Sequence, residues 1–185
     1  MRCFISIELD SVIKKNIENF IQKNKLKEHF SDTRWVKPDN LHITLAFLGE
    51  TPEDKIVSVK KILSTISKRH THFSLKFTKL GFFPSIKKPR VIWIGIEDNP
   101  KLLMLKNDID SVLSKEGIIY DKKSFLPHLT IGRIKTPGTL QPEAIQYLHI
   151  NTISSVREIH LMKSELSQQG ANYTCLYKAI LQNTV

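Results

Sequence analysis

A repeated four-residue pattern constrains the fold of this chain more than any other feature of its sequence. Residues 42–45 read His-Ile-Thr-Leu and residues 128–131 read His-Leu-Thr-Ile, and close to half of the 185 residues separate the two runs. Side chains alternate across a β-strand, so each histidine shares a face with its threonine while the two apolar residues point the other way. The repeat predicts two similar halves, each presenting an imidazole beside a hydroxyl.

The spacing of apolar residues around these runs predicts strands that alternate with helices. Capping and proline signals begin helices at Asp10 or Ser11, at Pro52 and at Asn99, and the last of these ends at Gly117. The predicted strands span 2–9, 41–48, 73–80, 91–96, 127–134, 156–166 and 173–181, with a loop at 136–138 and a short helix at 142–148. No linker-like tract interrupts them. We therefore expect residues 1–185 to form a single α+β domain of two pseudo-symmetric lobes.

The charge balance favours an anionic partner. The chain has 28 Lys and Arg against 18 Asp and Glu, a net charge of +10. Such a surface attracts polyanions such as RNA, although the same excess also occurs as solvating charge alone. The cations expected to flank a cleft are Arg34, Lys37, Lys87, Lys88, Arg90 and Lys135.

The two cysteines and the hydropathy pattern indicate in which cell compartment we expect the protein. Cys3 and Cys175 lie in apolar runs near the two ends, and we expect both to be reduced, buried thiols of a cytoplasmic protein. The opening residues alternate apolar with polar, which is typical of a strand and not of a signal peptide. No stretch approaches the ~20 apolar residues of a membrane span. We expect a monomer that does not associate with membranes.

Two histidines facing one groove suit phosphoryl transfer. An unperturbed imidazole pKa of about 6.5 allows one ring to accept a proton while the other donates one. Threonine hydroxyls can bind the non-bridging phosphate oxygens. A single His-x-Thr is more often structural, because threonine is a good strand former, but a second copy at an equivalent place favours a functional pair.

The remaining histidines do not repeat this pattern. His70 and His72 have the spacing of a metal-binding pair, but no carboxylate or cysteine cluster accompanies them in the sequence. His29, His149 and His160 are interpreted as surface or structural residues. We therefore expect no metal and no cofactor.

At the two His-x-Thr runs the sequence resembles the 2H phosphoesterase superfamily, which is named for these motifs. Within it, the chain is most similar to the bacterial and archaeal RNA 2′,3′-cyclic phosphodiesterases, historically called 2′-5′ RNA ligases. The resemblance covers nearly the whole chain. The segments that carry it are residues 2–9, 35–49, 81–84, 89–93, 125–133 and 161–166, with Gly170 and Tyr173.

The resemblance implies a bilobal 2H phosphoesterase-like fold, with antiparallel sheets lining a central cleft and helices outside. It implies that His42 gives a proton to the leaving 3′ oxygen and that His128 takes one from water. The product is a 2′-phosphomonoester. Thr44 and Thr130 would hold the phosphate, and Arg133 matches a family arginine that could also contact it.

Strand parity complicates two of these assignments. A regular strand places Arg133 on the face opposite His128, unless the chain bends at Gly132. By the same rule Phe47 shares the face of Ile43, so we expect it in the core and not on the cleft, where it could stack on a base.

Three other functions stay open at this point. The same chemistry could act on another cyclic or 2′-5′-linked nucleotide, and the reverse reaction would be 2′-5′ RNA ligation. A third possibility, from another class, is an RNA-binding module without catalysis. Both motifs are intact here, which argues against the third possibility. The basic charge balance and the match to the prokaryotic enzymes favour RNA that ends in a 2′,3′-cyclic phosphate.

Overall fold

The computed structural model describes residues 1–136, 145, 147–167 and 170–183. Within these residues the chain forms nine strands, four α-helices and one 3₁₀ turn. In chain order they are β1 Arg2–Glu8, α1 Ser11–Lys23, α2 Leu26–His29, β2 Thr33–Trp35, the turn Pro38–Asn40, β3 His42–Glu50, α3 Glu53–Ser67, β4 Phe73–Phe83, β5 Val91–Ile96, α4 Pro100–Lys115, β6 His128–Ile134, β7 His149–Val156, β8 Glu158–Ser167 and β9 Gly170–Ile180.

The strands form two antiparallel sheets. The first sheet has the order β3-β1-β8-β9, and the second has the order β2-β6-β5-β4-β7. Each sheet contains one strand that begins at a histidine of the repeated motif, β3 in the first and β6 in the second. These two strands also contact each other, so the fold brings the two halves of the repeat together.

The helices cover the outer faces of the sheets. Helix α3 packs against β8 and β9 of the first sheet and against α4, while α1 packs against β7 of the second. The Asp10 carboxylate caps α1 by accepting a hydrogen bond from the backbone N–H of Ile13 at 2.8 Å, as expected for such a residue. No helix in the described part of the chain combines the length and the apolar character needed to cross a membrane.

One continuous apolar cluster joins the helices to both sheets. Ile5 and Ile7 of β1, Ile17 of α1, Leu63 of α3 and Ile94 of β5 are all completely or almost completely buried. Burying one such side chain contributes about 1.5–3 kcal/mol to folding. The cluster therefore holds the two sheets, and with them the two motif strands, in a fixed relation.

The predicted architecture is confirmed as an α+β fold with two antiparallel sheets. The prediction missed α2, β2 and β7, and the last two strands begin at Glu158 and Gly170. The predicted loop at 136–138 and the short helix at 142–148 fall largely outside the described residues. Both cysteines are free, and Cys3 is buried. The prediction that Cys175 is buried is wrong, because it lies on β9 at the edge of the first sheet and is exposed.

Candidate active site

Two contacts orient His42 at the start of β3. Its Nδ1 lies 2.7 Å from the carbonyl oxygen of Asn40, which ends the 3₁₀ turn. A carbonyl only accepts, so Nδ1 carries the hydrogen and donates it. The other nitrogen, Nε2, lies 3.1 Å from the Thr44 hydroxyl. In the neutral ring Nε2 therefore has a free lone pair, which accepts from the threonine.

Aromatic rings enclose His42. The Phe4 ring lies 4.8 Å away with its plane tilted by 33°, and the Tyr173 ring meets the imidazole edge-on at 5.2 Å. Burial disfavours the charged imidazolium and lowers the pKa of His42 to about 4. The Asn40 hydrogen bond acts in the opposite direction, while the positive charge of Arg133 lowers this pKa further.

His128 repeats this arrangement at the start of β6. Its Nδ1 donates to the carbonyl oxygen of Leu126 at 2.7 Å, again two residues earlier in the chain. The Phe83 ring contacts it edge-on at 5.1 Å. Burial lowers the pKa of His128 below its usual 6.5, the Leu126 hydrogen bond opposes this, and the charge of Arg133 adds to the lowering. Both motif histidines thus have the same tautomer.

A β-bulge in each motif strand changes the parity of the residues that follow it. In β6 the pairing with β5 passes from Thr130 to Gly132 and leaves Ile131 unpaired. In β3 the pairing with β1 passes from Thr44 to Ala46 and leaves Leu45 unpaired, and a second shift after Phe47 leaves Leu48 unpaired. An extra residue on one strand moves the side chains that follow it to the other face, up to the next such shift. The bulges at Leu45 and Ile131 occupy equivalent positions, three residues after each histidine.

The bulge in β6 places Arg133 on the face of His128 and Thr130. Ile131 and Ile134 are both buried, three residues apart, and Arg133 between them is exposed. Gly132, just after the bulge, allows β2 to approach closely, because a Cβ there would lie 2.8 Å from the Thr33 side chain. The parity objection to Arg133 is thereby removed.

The bulge in β3 has the same effect on Phe47. The prediction that Phe47 lies in the core is wrong, because its side chain is 52% exposed. Leu45 and Leu48, on either side of it, are buried instead. Phe47 and Arg133 are therefore equivalent residues of the two lobes, each five positions after its histidine.

The five residues selected from the sequence line a single cavity of about 900 Å³ between the sheets. They are His42, Thr44, His128, Thr130 and Arg133. This volume is at the upper end of the range for small-molecule sites. The arrangement offers two proton-transfer groups, two hydroxyl donors and one guanidinium to a single ligand.

The cavity also has walls that the sequence did not predict. They include Arg2, Lys106, Lys123, Phe125 and Tyr173. Of the six cations expected to flank the cleft, none is among the described residues that line this cavity. Lys106 could have been identified from the sequence, because it interrupts the apolar side of α4 and has Asp110 one helical turn later.

Two of the other histidines are placed as structural residues. His70 is buried and its Nε2 donates to the Asp108 carboxylate at 2.8 Å, and His160 is similarly held by Glu158 at 2.6 Å. Across the described ranges, no three or more His, Cys, Asp or Glu side chains are grouped as metal ligands.

Comparison with known proteins identifies the family. The family model described as LigT like Phosphoesterase matches residues 7–93. The chain is 33% identical over 179 residues to the RNA 2′,3′-cyclic phosphodiesterase of Thermotoga maritima, covering 96% of this chain and 94% of that protein. It is 39% identical over 146 residues to the enzyme of the same name from Aquifex aeolicus, covering 76% and 78%.

Solved structures agree with this result over nearly the full length. The crystal structure of E. coli LigT complexed with 3′-AMP superposes with a TM-score of 0.80 at 28% identity, covering 97% of both chains. The TT0787 protein of Thermus thermophilus gives a TM-score of 0.83 at 25% identity, covering 99% of both. The chain therefore belongs to the LigT-like 2H phosphoesterases, in the family of the RNA 2′,3′-cyclic phosphodiesterases.

Proposed function

We propose that this chain hydrolyses RNA 2′,3′-cyclic phosphate ends to 2′-phosphomonoesters, with His42 as proton donor and His128 as proton acceptor. The observation that carries the proposal is the matched pair of histidines, one from each sheet, which line one cavity and have the same ring nitrogen, Nδ1, bound to a backbone carbonyl. The substrate class is supported by the relatives, which are named RNA 2′,3′-cyclic phosphodiesterases.

The proposed reaction is an in-line displacement at phosphorus. His128 Nε2 accepts a proton from water as the water oxygen bonds to phosphorus, and the bond between phosphorus and the 3′ oxygen breaks. His42 Nε2 gives its proton to that 3′ oxygen. General acid and base groups of this kind each contribute about 10²–10⁴-fold to a rate. The hydrogen bonds from each Nδ1 to a backbone carbonyl leave Nε2 as the reacting nitrogen on both rings.

Phosphate binding is proposed for Thr44, Thr130 and Arg133. The Thr44 hydroxyl lies 3.1 Å from His42 Nε2, and Thr130 lines the same cavity two residues after His128, so each hydroxyl can donate to a non-bridging oxygen. A guanidinium gives short, charge-assisted hydrogen bonds to phosphate. Arg133 already acts electrostatically on both histidines, so an anion placed between the three groups would interact with all of them.

Substrate binding supplies the protonation state that the reaction needs. In the free site burial favours neutral rings, and His42 with a pKa of about 4 is mostly unprotonated at pH 7. A bound phosphate neutralises the field of Arg133 and favours an imidazolium beside it, which raises the pKa of His42. The donor is therefore charged most readily when substrate is present.

The relation between the lobes supports treating residues 1–185 as one functional unit. The apolar cluster joins both sheets, and the cavity takes His42 from one sheet and His128 from the other. We propose that the unit acts as a monomer in the cytoplasm, for which the two free cysteines are suited.

One assay tests the proposed function. The purified chain, in EDTA, is offered 2′,3′-cyclic mononucleotides and a short RNA with a cyclic end, and the position of the product phosphate is determined by NMR. We expect hydrolysis to 2′-phosphates in the presence of the chelator. Absence of hydrolysis, a 3′-phosphate product, or activity that needs a divalent ion would each contradict the proposal. Parallel reactions with a 2′-5′ dinucleotide and with ADP-ribose 1″,2″-cyclic phosphate distinguish the related substrates.

A further inference from the structure

The cavity extends well beyond the two histidines. The Phe4 ring lies 4.8 Å from the His42 ring and 6.3 Å from the Phe47 ring, so the Phe47 ring is no more than about 11 Å from His42. Side chains from four separate segments surround this part of the cavity. We call it the far arm, and its walls are Arg2, Phe47, Gly49, Lys106, Lys123 and Phe125.

Cations predominate in the far arm. Arg2 at the start of β1, Lys106 on α4 and Lys123 in the following loop all line the cavity, against the single carboxylate of Asp121. Asp121 forms an ion pair with Lys123 at 3.0 Å. Lys106 likewise forms an ion pair with Asp110. Three cations against these two carboxylates leave a net positive charge, which Arg2 carries.

Lys106 gives the far arm a buried cation. Its side chain is only 4% exposed, and its ammonium forms an ion pair with Asp110. The Phe125 ring centroid lies 5.5 Å from the Nζ atom and the Tyr120 centroid lies 5.6 Å from it. Burying a lysine is costly unless it is paired, and an ammonium has three N–H donors. The pairing with Asp110 uses one donor, so others remain for a ligand at the cavity wall.

Aromatic rings also line the far arm. Phe47 is half exposed, and Phe125 lines the same cavity from the loop after α4. The backbone N–H of Asp121 in that loop donates to the Phe47 carbonyl at 2.9 Å. Cations that track a phosphate backbone beside rings that stack on bases are the usual elements of single-strand binding sites.

We infer that the far arm is a subsite for the internucleotide phosphate of the RNA strand, the one next to the terminal nucleotide on its 5′ side. This inference rests on the proposed function, because it assumes that the terminal phosphate lies between His42 and His128. It specifies the substrate further: the preferred ligand is at least a dinucleotide, and the second phosphate is bound by charge and not by sequence.

The test measures binding and needs no catalysis. Dissociation constants are determined for adenosine 2′-monophosphate, for the ApA dinucleotide 2′-phosphate, and for the same dinucleotide with a neutral methylphosphonate linkage. We expect the charged dinucleotide to bind at least about fivefold more tightly than either other ligand at low salt, because phosphate contacts release counterions. Equal affinity of the charged and neutral dinucleotides would overturn the inference.

Matched variants locate the contact. Arg2→Ala and Lys106→Met each remove one cation, and we expect each to bring the charged and neutral dinucleotides closer in affinity and to reduce the salt slope by ~0.7. Lys61→Ala removes an exposed cation from the outer helix α3 and serves as the control. A loss in Lys61→Ala as large as in Arg2→Ala would show that the overall surface charge is responsible, and would overturn the subsite.

Two results keep this inference separate from the proposed function. Arg2 is exposed, so Arg2→Ala should fold even if loss of buried Lys106 unfolds the chain, and a melting curve for each variant shows this. If cyclic mononucleotides are hydrolysed but the charged dinucleotide has no binding advantage, only the subsite is wrong. If the charged dinucleotide binds more tightly but nothing is hydrolysed, only the proposed reaction is wrong.

Discussion

His42 and His128 share a backbone anchor but differ in their surroundings. His42 lies between Phe4 and Tyr173, whereas His128 meets Phe83 edge-on and lies farther from Trp93, at 6.0 Å. Deeper burial makes the His42 imidazolium the stronger acid, which suits the ring that must give up a proton. The proposed roles follow this difference in burial, since the backbone hydrogen bonds of the two rings are alike.

Removing either histidine should stop the reaction and leave the fold intact. We expect His42→Ala and His128→Ala each to lower kcat/KM by roughly 10²–10⁴-fold. The double variant should be little worse than either single one, because the pair acts as a unit. His29→Ala, at an exposed position of α2, is the control. Near-normal hydrolysis by either motif variant, with an unchanged circular dichroism spectrum, would remove that histidine from the mechanism.

Arg133 should determine where the pH profile lies. The reaction needs His42 protonated and His128 neutral, and both pKa values lie below 6.5. The bell of kcat/KM, which reports the free enzyme, should therefore peak on the acid side of pH 6.5. Because a bound phosphate raises both pKa values, the bell of kcat should lie at higher pH.

The substitution Arg133→Met makes this prediction specific. It removes the positive charge that lowers both pKa values, so the kcat/KM bell should move to higher pH as its height falls. Arg133→Lys, which keeps the charge, should lose rate without moving the bell. The measurement is kcat/KM for a cyclic mononucleotide across the pH range. A wild-type maximum on the alkaline side of pH 7, or no movement in Arg133→Met, would count against the assigned electrostatics.

At the scale of the element, the bulges in β3 and β6 explain why sequence parity failed. Alternation correctly placed His42, Thr44, His128 and Thr130, which precede the bulges. It misplaced Phe47, which follows one. A bulge depends on the pairing with a neighbouring strand, and no single strand's sequence contains that information.

The bulge in β3 predicts different losses of stability for substitutions at Leu45 and at Phe47. We expect Leu45→Ala to destabilise the fold by about 2–5 kcal/mol, since Leu45 is buried in the core. Phe47→Ala should change the free energy of unfolding by no more than ~0.5 kcal/mol, because the ring is half exposed, while it raises KM for RNA. Urea unfolding measures both stabilities. A regular strand without the bulge would bury Phe47, and a large loss in Phe47→Ala would show this.

Strand β7 shows a second limit of sequence patterns. Its exposed and buried residues alternate perfectly, but two of the buried positions are Thr152 and Ser154 and one of the exposed positions is Ile153. The apolar pattern is therefore inverted in the middle of the strand. Thr152 is accommodated because its hydroxyl accepts from the Asn16 amide at 3.2 Å, a contact that only the tertiary structure provides.

At the scale of the whole molecule, the site makes folding sensitive to acid. The pKa of His42 is about 4 in the fold and near 6.5 in an unfolded chain. Folding therefore favours the neutral ring, and this contribution is fully present above pH 6.5 and is lost as pH falls toward 4. We expect it to lower the free energy of unfolding by on the order of 2 kcal/mol between pH 7 and about pH 4.5.

Comparison of His42→Ala and His29→Ala with the wild type tests this contribution of His42 to stability. Urea unfolding at both pH values should show a smaller loss for His42→Ala than for the wild type, because the variant has no ring to protonate. His29→Ala, with an exposed ring, should lose as much stability as the wild type. An equal loss in all three proteins would mean that protonation of His42 does not oppose folding.

The sequence predicted best those features of the fold and the site that are repeated in it. The motif that occurs twice indicated the two lobes and four of the residues that meet in the cavity, while Arg133 was implied by the family resemblance. The far arm could not be found in this way, because Arg2, Lys106 and Lys123 occur once each and are far apart in the chain. Only the packing of α4 and its loop against the end of β3 brings them together.

The equivalent positions of Phe47 and Arg133 have a consequence for substrate orientation. The histidines, the threonines and the backbone anchors of the histidines hold equivalent places in the two motif strands, but the two ends of a ribose cyclic phosphate are not equivalent. A site with two identical halves would accept the ligand in two degenerate orientations, and in one of them the donor would face the attacking water. One half ends in an aromatic ring and the other in a guanidinium, so a base and a phosphate cannot exchange places without loss. Because of the two bulges, a site built from two similar lobes is expected to bind its substrate in one orientation.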